Sequence, residues 1–73
     1  MIDTVALRTL VALDSLGSVT ATAESLGYTP AAVSHQLQKL SRTLGAPVTE
    51  RTGRGIALTP VGRELSRRGA GLL

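Results

Sequence analysis

Hydrophobic residues near the start of the chain recur at the spacing of an amphipathic helix. Leu7, Leu10 and Val11 stand at positions i, i+3 and i+4. The apolar residues that widen this arc to nearly two sides of the helix are Val5, Leu13 and Leu16. Gly17 follows and is suited to end the helix. The pattern therefore predicts a helix over residues 4–16 that packs at the centre of the fold.

A second and shorter helical pattern follows Gly17. Ser18 or Thr20 can cap its N-terminus, and the sequence ATAESLG contains small residues that permit close approach to another element. Gly27 ends this predicted helix and forms a tight turn with Tyr28, the only aromatic residue of the chain. We expect the Tyr28 ring to fill the core at this turn.

A third pattern separates an apolar stripe from a small and polar face. Thr29 is a good N-cap, and Pro30 suits the first helical position because its missing N–H removes no intrahelical hydrogen bond. The apolar stripe consists of Val33, Leu37, Leu40 and Leu44, and Gly45 follows it. The opposite side, called here the polar face, consists of Ala31, Ser34, His35, Gln38 and Arg42. The pattern predicts a helix over residues 29–44 whose polar face points away from the core.

The alternation of side chains changes after Pro47 to that of a β-hairpin. Val48, Glu50 and Thr52 alternate with Thr49 and Arg51 before Gly53-Arg54-Gly55, which is typical of a turn, and Ile56 and Leu58 flank Ala57 after it. The sequence therefore predicts a two-stranded hairpin over residues 48–58, called here the wing, with Arg54 at its tip.

A final helix is predicted from Pro60 to the end of the chain, because Thr59-Pro60 repeats the cap-plus-proline signal. Its apolar face comprises Val61, Leu65 and Leu72. Its glycines are Gly62, Gly69 and Gly71, and each lowers helix stability by up to about 1 kcal/mol relative to alanine. We therefore expect this helix to need a partner surface, which a second copy of the chain would supply.

Composition limits the chemistry that the chain can perform. The 73 residues fit one domain, and the absence of cysteine with a single histidine argues against disulfides and metal centres. Ser34 and His35 diverge as helix neighbours, and no carboxylate is placed to orient the imidazole. The start lacks the pattern of a signal peptide, and no apolar run is long enough for a membrane span. We expect a cytoplasmic, non-enzymatic protein without a cofactor or metal.

Charge is distributed unevenly along the chain. Residues 1–28 carry one basic and three acidic side chains, whereas residues 29–73 carry seven basic and two acidic ones. This asymmetry favours a surface that faces a polyanion. A helix N-terminus suits a phosphate, a small polar face suits the major groove of DNA, and an exposed arginine suits a narrow minor groove.

These elements predict a mainly α winged helix-turn-helix, with a three-helix core, a two-stranded wing and a C-terminal helix. A protein–protein adaptor is the alternative, although the polar face lacks the aromatic and aliphatic anchors that protein hot spots favour. The stretch GSVTATAESLGYTPAAVSHQLQKLSRTLGAPVTERTGRGIALTPVGREL resembles the N-terminal domain of LysR-type transcriptional regulators across essentially the whole chain. The resemblance implies double-stranded DNA as the partner and a homodimer that reads an inverted repeat.

The resemblance also implies roles for individual residues. It places base reading at Pro30, Ala31, Ser34 and His35, and the wing tip at Arg54. The full set of expected DNA-binding residues is Thr29, Pro30, Ala31, Ser34, His35, Gln38, Arg42, Arg51 and Arg54, and the expected dimerisation residues are Val61, Leu65 and Leu72.

The chain departs from the family pattern at several positions, and members of the family usually have an effector-binding domain after the last of these helices. Many relatives carry Gln-Pro where this chain has Pro30-Ala31, and often arginine at His35, so the preferred DNA site should differ from theirs. The resemblance implies that residues 60–73 are the start of a linker and dimerisation helix. A small-molecule effector is expected only if an effector-binding domain follows.

Overall fold

Four helices and one antiparallel hairpin make up residues 3–73, the part of the chain that the computed structural model describes. Their bounds are α1 Thr4–Leu16, α2 Val19–Leu26, α3 Pro30–Leu44, β1 Thr49–Thr52, β2 Gly55–Leu58 and α4 Pro60–Leu72. The predicted order of elements and the winged helix-turn-helix fold are confirmed. Within residues 3–73, no helix has the length and apolar character needed to cross a membrane.

Side-chain caps explain why the helices begin where they do. A side-chain oxygen accepts a hydrogen bond from a first-turn N–H in all four helices, and the capping residues are Asp3, Ser18, Thr29 and Thr59. Ser18, rather than Thr20, is therefore the cap of α2. The first three helices end at Gly17, Gly27 and Gly45, whose φ angles of 73 to 78° lie in the left-handed region that favours glycine.

Helix α1 lies at the centre of the fold and contacts the other three helices. Its apolar side chains, together with those of α2, α3 and the wing, form one buried cluster that includes Leu10, Leu37 and Leu58. The buried hydroxyl of Thr9 also contacts the side-chain amide of Gln36, which ties α1 to α3. The prediction of α1 as the central packing helix is confirmed.

Two apolar residues lie further outside the core than the sequence pattern suggests. Tyr28 is 39% exposed, so the expectation that its ring fills the core is wrong. Leu44 belongs to the apolar stripe of α3 but is also exposed, because it lies in the last turn, beyond the buried residues. The core of this small domain is consequently almost entirely aliphatic.

Helix α4 packs against its own chain through small residues. Gly62, Ser66 and Gly69 are its buried positions and recur at i, i+4 and i+7 on one face. The Ser66 hydroxyl donates to the Asp14 carboxylate of α1 at 2.9 Å. Gly62 and Gly69 thus permit close packing, in addition to their cost in helix propensity.

The expected dimerisation residues lie off this packed face. Leu65 is half-buried against the core, whereas Val61 is 45% and Leu72 is 81% exposed. The partner surface that α4 needs is therefore supplied in part by α1, and dimerisation through Val61, Leu65 and Leu72 stays a prediction.

Candidate nucleic-acid interface

The N-terminus of α3 opens directly to solvent. Thr29 caps it by accepting a hydrogen bond from the Ala32 N–H at 3.1 Å, and Thr29, Pro30 and Ala31 are all exposed. A helix N-terminus carries about half a positive charge and N–H groups without intrahelical partners. The short side chains of the first turn leave this positive end accessible to a phosphate.

The polar face of α3 is continuous along the helix. At 100° per residue its five members fall within an arc of about 100°, and His35, Gln38 and Arg42 are exposed. Ser34 differs from the expectation that the whole face points away from the core. It is half-buried because it lies at the edge of the arc, beside the wing.

A cleft separates α3 from the wing and from the start of α2. It is lined by Ser34 and Gln38 of α3, by Arg51 and Arg54 of the wing, and by residues 18–20 at the N-terminus of α2. The start of α2 was not predicted as part of the site, although a capped helix N-terminus is a recognisable signal for an anion-binding surface. Two arginines and a helix N-terminus make this cleft electropositive, despite the presence of Glu50.

The register of the wing determines where its arginines lie. Thr52 pairs with Gly55, so Gly53 and Arg54 form the loop, and Arg54 is exposed at the tip. Arg51 pairs with Ile56. Because side chains alternate along a strand, Arg51 shares the face of Thr49 and of the buried Leu58 side chain, which is the face toward the cleft.

The predicted site residues do not all meet in one place. Arg42 lies in the last turn of α3, about 12 Å along the helix axis from Ser34, and does not line the cleft. Within residues 3–73, the carboxylates that form ion pairs are those of Asp3 and Glu64. Arg42, Arg51 and Arg54 therefore keep guanidinium groups that are free to bind an external anion.

The arginines of α4 are placed differently. Arg67 and then Arg68 donate hydrogen bonds to the Glu64 carboxylate, and these bonds lower the pKa of Glu64 to about 2. Glu64 is therefore ionised in neutral buffer and offsets part of the positive charge of its two neighbours. Basic residues of α4 contribute less to a polyanion-binding surface than their number suggests.

Comparison with known proteins gives a single family. The family model described as bacterial regulatory helix-turn-helix protein, lysR family, matches residues 4–63. An uncharacterized HTH-type transcriptional regulator of Sinorhizobium fredii is 45% identical over 60 residues, which cover 82% of this chain and 20% of the relative. The probable HTH-type transcriptional regulator YhaJ of Escherichia coli is 43% identical over 68 residues, covering 93% of this chain and 23% of the relative.

Solved structures show the same fold. The crystal structure of the BenM DNA-binding domain with catB site 1 DNA is similar with a TM-score of 0.88 and 30% identity, covering 96% of this chain and 79% of that one. The CbnR DNA-binding domain in complex with DNA is similar with a TM-score of 0.87 and 27% identity, covering 96% of this chain and 80% of that one.

Proposed function

The chain belongs to the lysR family of bacterial regulatory helix-turn-helix proteins, and from that membership we propose that it binds double-stranded DNA in a sequence-specific manner. The observation that carries the proposal is the convergence of Ser34 and Gln38 of the polar face with the two unpaired arginines of the wing around one electropositive cleft. The solved neighbours that were crystallised with DNA support it.

In this proposal α3 lies in the major groove of the duplex. Ala31 contacts a thymine methyl group, and Ser34 and His35 form hydrogen bonds with base edges. Thr29 and the first turn of α3 bind a phosphate, as does Arg42 at the far end of the helix. The N-terminus of α2 provides a further phosphate contact from the opposite wall of the cleft.

The wing is proposed to contact the adjacent minor groove. Arg54 projects from a two-residue loop, where neighbouring glycines leave room for close approach to the sugar-phosphate walls. A narrow A·T-rich minor groove has the most negative potential and attracts a guanidinium group. Arg51, which also lines the cleft, is proposed to bind a phosphate between the two grooves.

The chain spans 20–23% of the length of the two curated relatives described above. We propose that it supplies the DNA-binding part of a transcriptional regulator, with residues 60–73 at the start of a linker helix. This role requires no catalysis, which agrees with the names of the relatives as transcriptional regulators.

A second copy of the chain is proposed to bind along α4. A groove that is almost wholly apolar runs beside the exposed part of this helix and is lined by Leu44, Pro60, Val61, Glu64, Leu65 and Arg68. Burying it would remove apolar surface from water, and the resulting twofold axis would match an inverted repeat in DNA.

Replacing Val61 with glutamate should shift the protein toward monomer. Val61 lies in the first turn of α4, where a negative charge favours the helix, so folding should be retained while the groove becomes polar. Sedimentation velocity over a range of concentrations measures the change. Ala70→Glu adds the same charge at an exposed position of α4 outside the groove and serves as the control, with a helix-dipole cost of about 0.3–1 kcal/mol because it lies in the last turn. Identical sedimentation of both variants and the wild type would contradict dimerisation through this face.

Salt dependence tests the DNA-binding proposal against the adaptor alternative. If each domain neutralises about four phosphates, the logarithm of the binding constant should fall with the logarithm of salt concentration with a slope of about −3.6. The measurement uses a duplex selected from a random library and a scrambled duplex of the same composition. A slope near zero, or equal affinity for both duplexes, would contradict sequence-specific DNA binding.

A further inference from the structure

We infer that Ser41 is a positioning residue, which sets the orientation of the wing relative to α3 and so determines whether the flank of the DNA site is read. The inference rests on the proposed function, because it concerns how two groove contacts are held at a fixed separation. Val48 lies where the wing joins the rest of the domain.

Both backbone polar groups of Val48 are tied to other elements. Its N–H donates to the Ser41 hydroxyl of α3 at 3.0 Å, and its carbonyl accepts from the Thr59 N–H, just before α4, at 3.0 Å. The Ser41 hydroxyl in turn donates to the Leu37 carbonyl at 3.1 Å. Since the Val48 residue is 0% exposed, water cannot readily replace Ser41 as its partner.

The bond between Ser41 and Val48 is a specific link between the helix and the wing. Among the hydrogen bonds of residues 3–73, it is the one that joins α3 to the wing. Ser41 lies two turns beyond Ser34 and within about 20° of it around the helix axis, so it is on the wing-facing side of α3. The link therefore acts at the base of the wing, in line with the side of α3 that faces the cleft.

A small rotation of the wing at Val48 would displace its tip by a large distance. Arg54 is six residues from Val48, which corresponds to about 20 Å of extended strand. A rotation of about 10° at Val48 would displace the wing tip by roughly 3.5 Å over that length. Hydrogen-bonded recognition requires groups to be placed within about 0.5 Å, so such a displacement would remove the Arg54 contact while leaving α3 in its groove.

The chain contains a matched control for Ser41. The Thr43 hydroxyl donates to the Lys39 carbonyl at 3.1 Å, the same bond to the residue four positions earlier, but it has no bond to the wing. Ser41→Ala and Thr43→Ala thus each remove a hydroxyl group that bonds to the carbonyl four positions earlier, although Ser41 is half-buried and Thr43 is exposed, and only the first leaves the Val48 N–H without its acceptor. Ser41→Thr retains the hydroxyl and serves as the rescue variant.

Two measurements test the inference, both well below the melting temperature. The first is hydrogen exchange at the Val48 amide, which should become at least about tenfold faster in Ser41→Ala and stay unchanged in Thr43→Ala. The second is affinity for two duplexes that share the selected core site and differ only in an A-tract or G·C flank. Arg54→Lys, which replaces the planar guanidinium at the wing tip with a strongly hydrated ammonium, should lower the preference for the A-tract duplex. Ser41→Ala should lower this preference by about threefold or more, approaching the effect of Arg54→Lys, while affinity for the G·C-flanked duplex changes little.

The outcomes separate this inference from the proposed function. Restoration of both properties by Ser41→Thr, with Thr43→Ala behaving as wild type, is the expected result. Equal losses on both duplexes in Ser41→Ala would make Ser41 a residue for stability alone and would overturn the inference, as would unchanged exchange at Val48. A wild-type protein that binds neither duplex would overturn the proposed function and this inference with it.

Discussion

Replacing Gly62 with alanine should lower the melting temperature by about 10 °C or more. A Cβ atom at this position would overlap the Val48 carbonyl oxygen and lie 2.9 Å from the carbonyl carbon. The obstructing atoms belong to the backbone of Val48, whose carbonyl accepts a hydrogen bond from the Thr59 N–H. Moving this carbonyl away would therefore weaken that hydrogen bond. Overpacking of this kind costs about 1–3 kcal/mol or more, and each kcal/mol lowers the melting temperature of a small domain by about 4–8 °C.

Gly71→Ala is the matched control for this prediction. It lies in the same helix, but a Cβ atom there would have no neighbour within 4 Å. Because alanine favours a helix more than glycine does, the melting temperature of Gly71→Ala should stay the same or rise slightly. Thermal unfolding followed by far-ultraviolet circular dichroism compares the two variants. A Gly62→Ala protein as stable as the wild type would show that α4 does not pack against Val48.

Ala31→Glu should abolish specific DNA binding without weakening the fold. Ala31 is the second residue of α3, is exposed and belongs to the polar face. A glutamate in the first turn of a helix interacts favourably with the helix dipole, by about 0.3–1 kcal/mol. The same carboxylate would be pressed against phosphates and base edges in the proposed complex, and like-charge contacts at an interface cost several kcal/mol. Affinity for the selected duplex should fall at least about a hundredfold.

Thr4→Glu provides the control for net charge. Thr4 is exposed in the first turn of α1, so the substitution adds the same charge at an equivalent helical position. It lies about 18 Å along α1 from Leu16, at the end of the helix away from the cleft. Fluorescence anisotropy should show only a small, salt-sensitive loss for Thr4→Glu. Equal losses in the two variants would mean that the N-terminus of α3 does not contact DNA, and a fall in the stability of Ala31→Glu would make its binding loss uninformative about contact.

Local signals in the sequence were sufficient to place every element. Hydroxyl-bearing residues before an apolar pattern, proline at the first helical position and glycine after the last turn act through neighbouring backbone groups, so their effect is visible within a few residues. For the same reason the polar face of α3 could be read from helical periodicity alone. The arginine at the wing tip followed from the glycines on either side of it.

Contacts between distant parts of the chain were not predictable in this way. The start of α2 joins the cleft, Tyr28 lies outside the core, and the Ser41 hydroxyl bonds to Val48 seven residues later. The capping residue of α2 marked a helix N-terminus, but not the cleft that it joins, because each of these facts depends on how elements approach one another after they have formed.

The glycines of α4 show most clearly which properties the sequence determines and which only the tertiary structure decides. Helix propensity treats Gly62, Gly69 and Gly71 alike, and the sequence by itself determined only that α4 begins at Thr59-Pro60 and requires support from another surface. The tertiary structure alone distinguished Gly62, pressed against the Val48 backbone, and Gly69, pressed against Leu7, from Gly71, which faces open space. The physical reason is that propensity is a property of the isolated backbone, whereas close packing depends on atoms contributed by α1 and the wing.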